Sequence, residues 1–190
     1  GEVEVVGEVN NKTIFKCQIS EYLRRLLTSD TIFAYKRDLE KVVERLKPKS
    51  VFEIGTGWGL SGSIFLDADV KKFVTFDNKQ YGEDCYENAK KEILLHKKDQ
   101  TVTFLTDQDE MPTEHFEMVF IDGDNENYEK VKDFLDLADR FSPKWILLDD
   151  FEHPSYIGAE RAVHEFAKNT GSTLEPIRRG WNALCLITKP

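Results

Sequence analysis

Short apolar runs recur along the chain, separated by longer segments of helical periodicity. The runs cover 50–54, 72–76, 101–105, 118–121, 145–148 and 183–188, and each is bounded by polar or glycine residues, as buried strands are. Between them, 81–96 carries Tyr81, Cys85, Ala89 and Ile93 at helical spacing, and 128–141 carries Val131, Leu135 and Ala138. A third helical pattern over 158–169 runs through the stretch from Arg161 to Ala167. Strand alternating with helix predicts an α/β fold with a doubly wound, mostly parallel sheet and helices on both faces. In such sheets ligands bind at the carboxyl ends of the strands. The first fifty residues differ, with a strand or hairpin over 3–15 turning at Asn10-Asn11, then helices over 19–27 and 32–46, the second stopped by Pro48. The expected organisation is an N-terminal segment, 1–48, serving as a cap over the site or as packing scaffold, and a ligand-binding domain, 49–190, within one compact unit.

The segment Val51-Phe52-Glu53-Ile54-Gly55-Thr56-Gly57-Trp58-Gly59 reads as a buried strand that carries an acid near its end and opens into a glycine-rich turn. Glycine suits such a turn because positive φ and close backbone approach both exclude a Cβ. A helix starting near Gly59 aims its unsatisfied N–H groups at whatever the turn holds. Two registers compete. Gly57, Gly59 and Gly62 spell the dinucleotide pattern G-x-G-x-x-G, with Asp77 about 20 positions further on. That pattern places its first glycine directly after the strand, whereas the first residue after this apolar run is Gly55. The register Glu53-x-Gly55-x-Gly57 therefore fits better, and a turn that binds nothing remains the third reading. In the favoured register the stretch resembles motif I of the class I S-adenosylmethionine-dependent methyltransferases. The resemblance implies that Glu53 lies near the amino group of the cofactor's methionine portion and that Gly55 and Gly57 admit the rest. It also implies that Trp58 packs against the cofactor or the N-terminal segment.

Composition narrows the partners. A chain of 190 residues with a formal net charge of −9 lacks the basic face a nucleic-acid surface needs, so small molecules are favoured. Cys17, Cys85 and Cys185 are widely spaced and odd in number, which points to reduced thiols rather than a disulfide framework or a zinc site. No apolar run approaches the roughly 20 residues of a membrane span, and the start is not a signal peptide, so a cytoplasmic location is expected.

Acids stand where the strands end. Asp77 follows the second run and suits the ribose hydroxyls of a nucleoside; Asp107 follows the third, with Asp109 close by as loop charge. The fourth run closes in Ile121-Asp122-Gly123-Asp124 and the fifth in Leu148-Asp149-Asp150-Phe151. Carboxylates gathered in a partly desolvated cleft repel one another unless a cation neutralises them. Asp122, Asp149 and Asp150 offer oxygen ligands only, which suits magnesium, calcium or manganese; the alternative is that the aspartate pair merely caps the next segment.

These two acidic ends are similar to those of the metal-dependent small-molecule O-methyltransferases, the catechol-type enzymes and, more closely, the macrolide-sugar branch. The likeness spans roughly 50–190 and includes the later helix around 157–166. It implies a seven-stranded, mostly parallel sheet of the Rossmann-like methyltransferase fold with the last strand antiparallel. It further implies S-adenosylmethionine as cofactor and a divalent metal, Mg2+ foremost, on Asp122, Asp149 and Asp150. Asp122 would also line the cofactor site and take part in catalysis, and Asp107 would hold the adenine amino group. The chain departs from the pattern at Asn125, where the family has a histidine or lysine as general base, and asparagine accepts no proton. His153, just after the acidic pair, is the best substitute, its ordinary pKa near 6.5 suiting base work. The expected activity is transfer of a methyl group to a hydroxyl of a small molecule, whether sugar, catechol-like aromatic or small peptide, by a homodimer that needs neither nucleic acid nor membrane. A nicotinamide-dependent oxidoreductase using Gly57, Gly59 and Gly62, and a cofactor-binding domain without turnover, are the alternatives.

Overall fold

The computed structural model describes residues 4–9, 12–16, 31–122, 127–151, 157–179 and 183–190. The helix expected over 19–27, Cys17, the residues Gly123 to Glu126 with Asp124 and Asn125, and His153 lie outside the described residues. An antiparallel pair comes first among the described residues, β1 (Glu4–Val9) and β2 (Lys12–Lys16), in which Val9 pairs with Lys12; the turn expected at Asn10-Asn11 lies outside the described residues. Helix α1 (Thr31–Leu46) follows. Then come β3 (Ser50–Ile54), α2 (Leu60–Asp67), β4 (Lys72–Phe76), α3 (Glu83–Leu95) and β5 (Thr101–Leu105). The chain continues through β6 (Met118–Ile121), α4 (Tyr128–Asp139), β7 (Trp145–Asp149), α5 (Ile157–Thr170), β8 (Thr173–Arg178) and β9 (Leu184–Thr188).

Seven of these strands form one sheet in the order β5-β4-β3-β6-β7-β9-β8. The first five run parallel, and β9 is antiparallel to both its neighbours. The central strands β3, β6 and β7 are buried almost throughout, which is why they read as unbroken apolar runs. Strand β8 was not among the six apolar runs. It lies at the sheet edge with Glu175 exposed and an irregular register around Pro176, and a proline is tolerated there because an edge N–H need not join the ladder.

Strand alternation divides the core in two. Phe52, Val119, Ile121, Ile146 and Leu148 face α4 and α5. Val51, Phe73, Met118, Phe120 and Leu147 face the other way, onto α1, α2 and Ile93 of α3. Helix α1 contributes Tyr35, Leu39, Val42 and Val43 to this second core, and its outer end is tied to β8 by a two-pronged Arg45–Glu175 pair (3.0 and 2.9 Å) and by Arg178–Asp38 (3.3 Å). Among the described residues no helix is long and apolar enough to cross a membrane.

The turn after β3 is built on glycines for two different reasons. Gly55, Gly57 and Gly59 all have positive φ (97°, 54° and 88°). A Cβ on Gly57 would meet nothing, whereas one on Gly59 would lie 2.8 Å from the Ala89 carbonyl oxygen and 3.1 Å from Ile93 Cγ1. Gly59→Ala is therefore expected to destabilise the fold by about 2–4 kcal/mol through overpacking and backbone strain together. Gly57→Ala, which meets strain alone, should cost about 1 kcal/mol. Urea denaturation of the two variants at unchanged slope checks the difference, and equal losses would refute it.

Candidate cofactor and metal site

Each parallel strand hands its last residue to the ladder of its neighbour, which aligns the strand-end acids along one edge. Gly55 N–H donates to Phe76 O (2.7 Å), Asp77 N–H to Leu105 O (3.0 Å), Asp122 N–H to Ile54 O (2.8 Å) and Asp150 N–H to Ala183 O (2.8 Å). By the period of two, Glu53, Thr75, Asp122 and Asp149 share the face that α1 and α2 cover.

Asp77 braces the glycine turn. Its Oδ2 accepts from the N–H groups of Thr56 (2.9 Å) and Gly57 (3.2 Å), and its Oδ1 from Lys79 N–H (2.7 Å). A carboxylate has about four lone-pair directions, so about one is left on Asp77 for a further donor. Glu53 is fully buried and engaged on both oxygens: Ser61 Oγ donates to Oε2 and Thr75 Oγ1 to Oε1 (2.7 Å), while Thr56 Oγ1 lies 2.7 Å from Thr75 Oγ1 and, Thr75 having spent its proton, donates to it. The acid thus links β3 to α2 and β4 directly beneath the turn. Burial pushes its carboxyl up to about 8, with Asp77 adding to the rise and the two hydroxyls opposing it.

Asp122, Asp149 and Asp150 converge: each offers an oxygen, and these oxygens lie within 4.8 Å of one another. Asp149 is only 9% exposed. Asp150 adopts φ 57°, a left-handed conformation aspartate tolerates better than most residues, and its N–H also donates to Asp149 Oδ1 (2.9 Å). Burial raises Asp122 to about 8, with the charges of Asp150, Glu53 and Asp77 adding to it and a hydrogen bond with Asp149 opposing. Burial and the Asp122 charge drive Asp149 well above the usual carboxylate range. Ionisation of Asp122 thus opposes that of Asp149. Three convergent carboxylates are an all-oxygen donor set, which fits a hard divalent metal.

Sequence reasoning therefore named five acids that the fold gathers at one edge: Glu53, Asp77, Asp122, Asp149 and Asp150. Asp107 stands apart at the exposed end of β5, where its Oδ1 accepts from Asp109 N–H (2.9 Å) and caps the single turn Gln108–Glu110. Trp58 is partly exposed, yet its Nε1 is buried with no hydrogen-bond partner among the described residues. Sequence reasoning missed three groups. Thr75 and Ser61 complete the Glu53 network, and a polar residue inside an apolar strand, directly opposite Glu53 in register, was the available signal. The third is Tyr35 of α1, whose hydroxyl is buried and unpartnered among the described residues; its spacing with Leu39, Val42 and Val43 marks it only as core.

A buried acid that stays protonated makes stability depend on pH. The folded carboxyl of Glu53 keeps its proton up to about 8 while the unfolded one releases it near 4.5, so its contribution is complete below 4.5 and is lost as pH rises through 8. Stability should fall across that window, and Glu53→Gln should make the fall shallower by up to about 1 kcal/mol per pH unit. Chemical denaturation at pH 5, 6.5 and 8 measures both slopes, and parallel curves would refute the assignment.

No protein-family model matches the chain, and no curated protein matches it in sequence. Solved structures do match in shape. Cofactor-bound Rv0187 from MTB superposes with a TM-score of 0.65 at 17% identity, covering 90% of each chain. The O-methyltransferase from Bacillus cereus in complex with SAH gives 0.63 at 16% identity, over 90% of this chain and 92% of that one. The O-methyltransferase TomG from Streptomyces achromogenes, involved in tomaymycin synthesis and solved with SAM, gives 0.55 at 17% identity over 90% of each. At such identities the likeness is one of architecture, and together with the antiparallel β9 inserted beside β7 it assigns this chain the Rossmann-like class I methyltransferase fold.

Proposed function

We propose that the protein transfers the methyl group of S-adenosylmethionine to a hydroxyl of a small molecule, with a divalent metal held by Asp122, Asp149 and Asp150. The observation that carries the reading is the adjacency on one sheet edge of the Asp77-braced glycine turn and a three-carboxylate cluster within 4.8 Å. The methionine portion of the cofactor is cationic at its sulfonium and its ammonium, which suits an edge lined by acids. Asp77 takes a ribose hydroxyl, Gly55 and Gly57 admit the backbone side of the ligand, and Trp58 lies against it. Glu53 holds the turn in shape from below and faces the amino group, while Asp107 is the candidate for the adenine amino group.

Bound to the acid trio, a divalent cation would lower the pKa of the acceptor hydroxyl and fix its orientation. The protein's own task is alignment, since in-line attack needs the oxygen about 3 Å from the methyl carbon and such positioning is worth several kcal/mol. His153 is the candidate base in place of the family's residue at Asn125, and the segment 1–48 is the candidate cap over the acceptor. The solved structures with SAM and SAH support the cofactor, being proteins of the same architecture. A dinucleotide reading has less support, because Gly59 and Gly62 are filled by packing against Ala89, Ile93 and Phe73, and it gives the acid trio no task.

Calorimetric titration with S-adenosylhomocysteine and with NAD, each with and without Mg2+, tests the assignment on wild type, Asp77→Ala and Asp149→Ala. S-adenosylhomocysteine should bind wild type and bind Asp77→Ala at least about 10-fold more weakly, one lost hydrogen bond to a charged group being worth about 1.5–3 kcal/mol. Asp149→Ala should keep that binding and lose the Mg2+ heat. NAD binding alone would overturn the reading.

A further inference from the structure

Tyr35 is 9% exposed, and its hydroxyl is buried with no hydrogen-bond partner among the described residues. Such a group is rare in a folded protein, because an unsatisfied buried hydroxyl forfeits its hydration without recompense. Its position is set by two constraints already described. The apolar stripe Leu39, Val42 and Val43 seats α1 on the sheet face, and strand alternation turns Asp122 and Asp149 toward that same face. The acids that act on the phenol are, in decreasing order, Asp149, Asp122, Asp150 and then Glu53. The first three are the metal trio. Burial first, and these charges after it, hold the phenol well above its usual pKa near 10, so it is a donor and never a base.

Among the described residues the hydroxyl bonds none of these acids. Hard divalent cations take six or more oxygens, and the three aspartates supply three if each binds through one. A cation held by the three aspartates would complete its set with oxygens from water or from the acceptor hydroxyl, and the buried Tyr35 hydroxyl would be free to donate to one of them. We propose that Tyr35 is a positioning residue whose hydroxyl donates to an exogenous oxygen bound at the Asp122–Asp149–Asp150 site, so that α1 orients the oxygen to be methylated. This rests on the metal-assisted reading above and extends it to a residue outside the strand ends.

Mn2+ serves as probe, with the free-ion electron paramagnetic resonance signal reporting binding to wild type, Tyr35→Phe and Arg45→Ala. Tyr35→Phe keeps the ring and should bind Mn2+ about 3- to 10-fold more weakly, the loss of one hydrogen bond to a coordinated oxygen. Its metal-free melting temperature should be unchanged or higher by about 2–4 °C, since an unsatisfied hydroxyl is removed. Arg45→Ala loosens the far end of α1 without touching the hydroxyl and should bind Mn2+ as wild type does. Equal Mn2+ affinity in wild type and Tyr35→Phe would overturn the proposal, as would a melting temperature several degrees lower in Tyr35→Phe or a comparable loss in Arg45→Ala. No Mn2+ binding by wild type would instead overturn the metal reading itself.

Discussion

Parallel strands of equal length end together, and that geometry forces the charges of their last residues into one small volume. Here β3, β4, β6 and β7 bring Glu53, Asp77, Asp122 and Asp149 to the same edge, and Asp150 joins them through the turn after β7. Water cannot fully screen them, because α1 and α2 cover the face they share. The molecule answers in two ways. Where hydrogen-bond donors are at hand it uses them, as with the backbone N–H groups on Asp77 and the hydroxyls of Ser61 and Thr75 on Glu53. Where burial outweighs them, at Glu53, Asp122 and Asp149, the carboxyls are held above the usual carboxylate range.

The glycine turn depends on the same edge. Its shape comes from positive φ at three glycines, yet its placement comes from Asp77, which grips two of its N–H groups, and from the Glu53–Thr75–Thr56 chain underneath. Gly59 and Gly62 do something different: they let α2 approach α3 and β4 closely enough to hold the helix start beside the turn. One glycine-rich string thus divides into a residue with open space around its Cα, Gly57, and residues that pack, Gly59 and Gly62. That division also explains why the string alone admits two cofactor readings.

Most of the scaffold was legible because the central strands are buried on both faces and therefore read as plain apolar runs. The acids at their ends were legible for a related reason: a charge directly after a buried strand stands out. The edge strand β8 was hidden by Glu175 and Pro176, which an edge tolerates and a pattern search rejects. Tyr35 was hidden more deeply. Its ring obeys the helical period of α1 and so looks like any core residue, while the direction of its hydroxyl depends on how α1 crosses the sheet. That crossing is fixed by contacts far apart in sequence, such as Arg45 with Glu175, which no local window contains.

The raised carboxyl pair and the unpartnered phenol are two halves of one imbalance. Burial and mutual repulsion raise the acids above the usual carboxylate range, and the Tyr35 hydroxyl and the Trp58 indole have no hydrogen-bond partner among the described residues. A chain selected for stability alone would replace Tyr35 by phenylalanine and Asp149 by asparagine, and both changes would fit the space. Under the proposed function, acceptors and donors on one edge suit a ligand that carries both positive charge and oxygen. A sulfonium cofactor with a hydrated divalent cation has that composition, and a neutral apolar ligand does not. The architecture alone would accommodate many ligands, so under the proposed function it is these residues that would select among them.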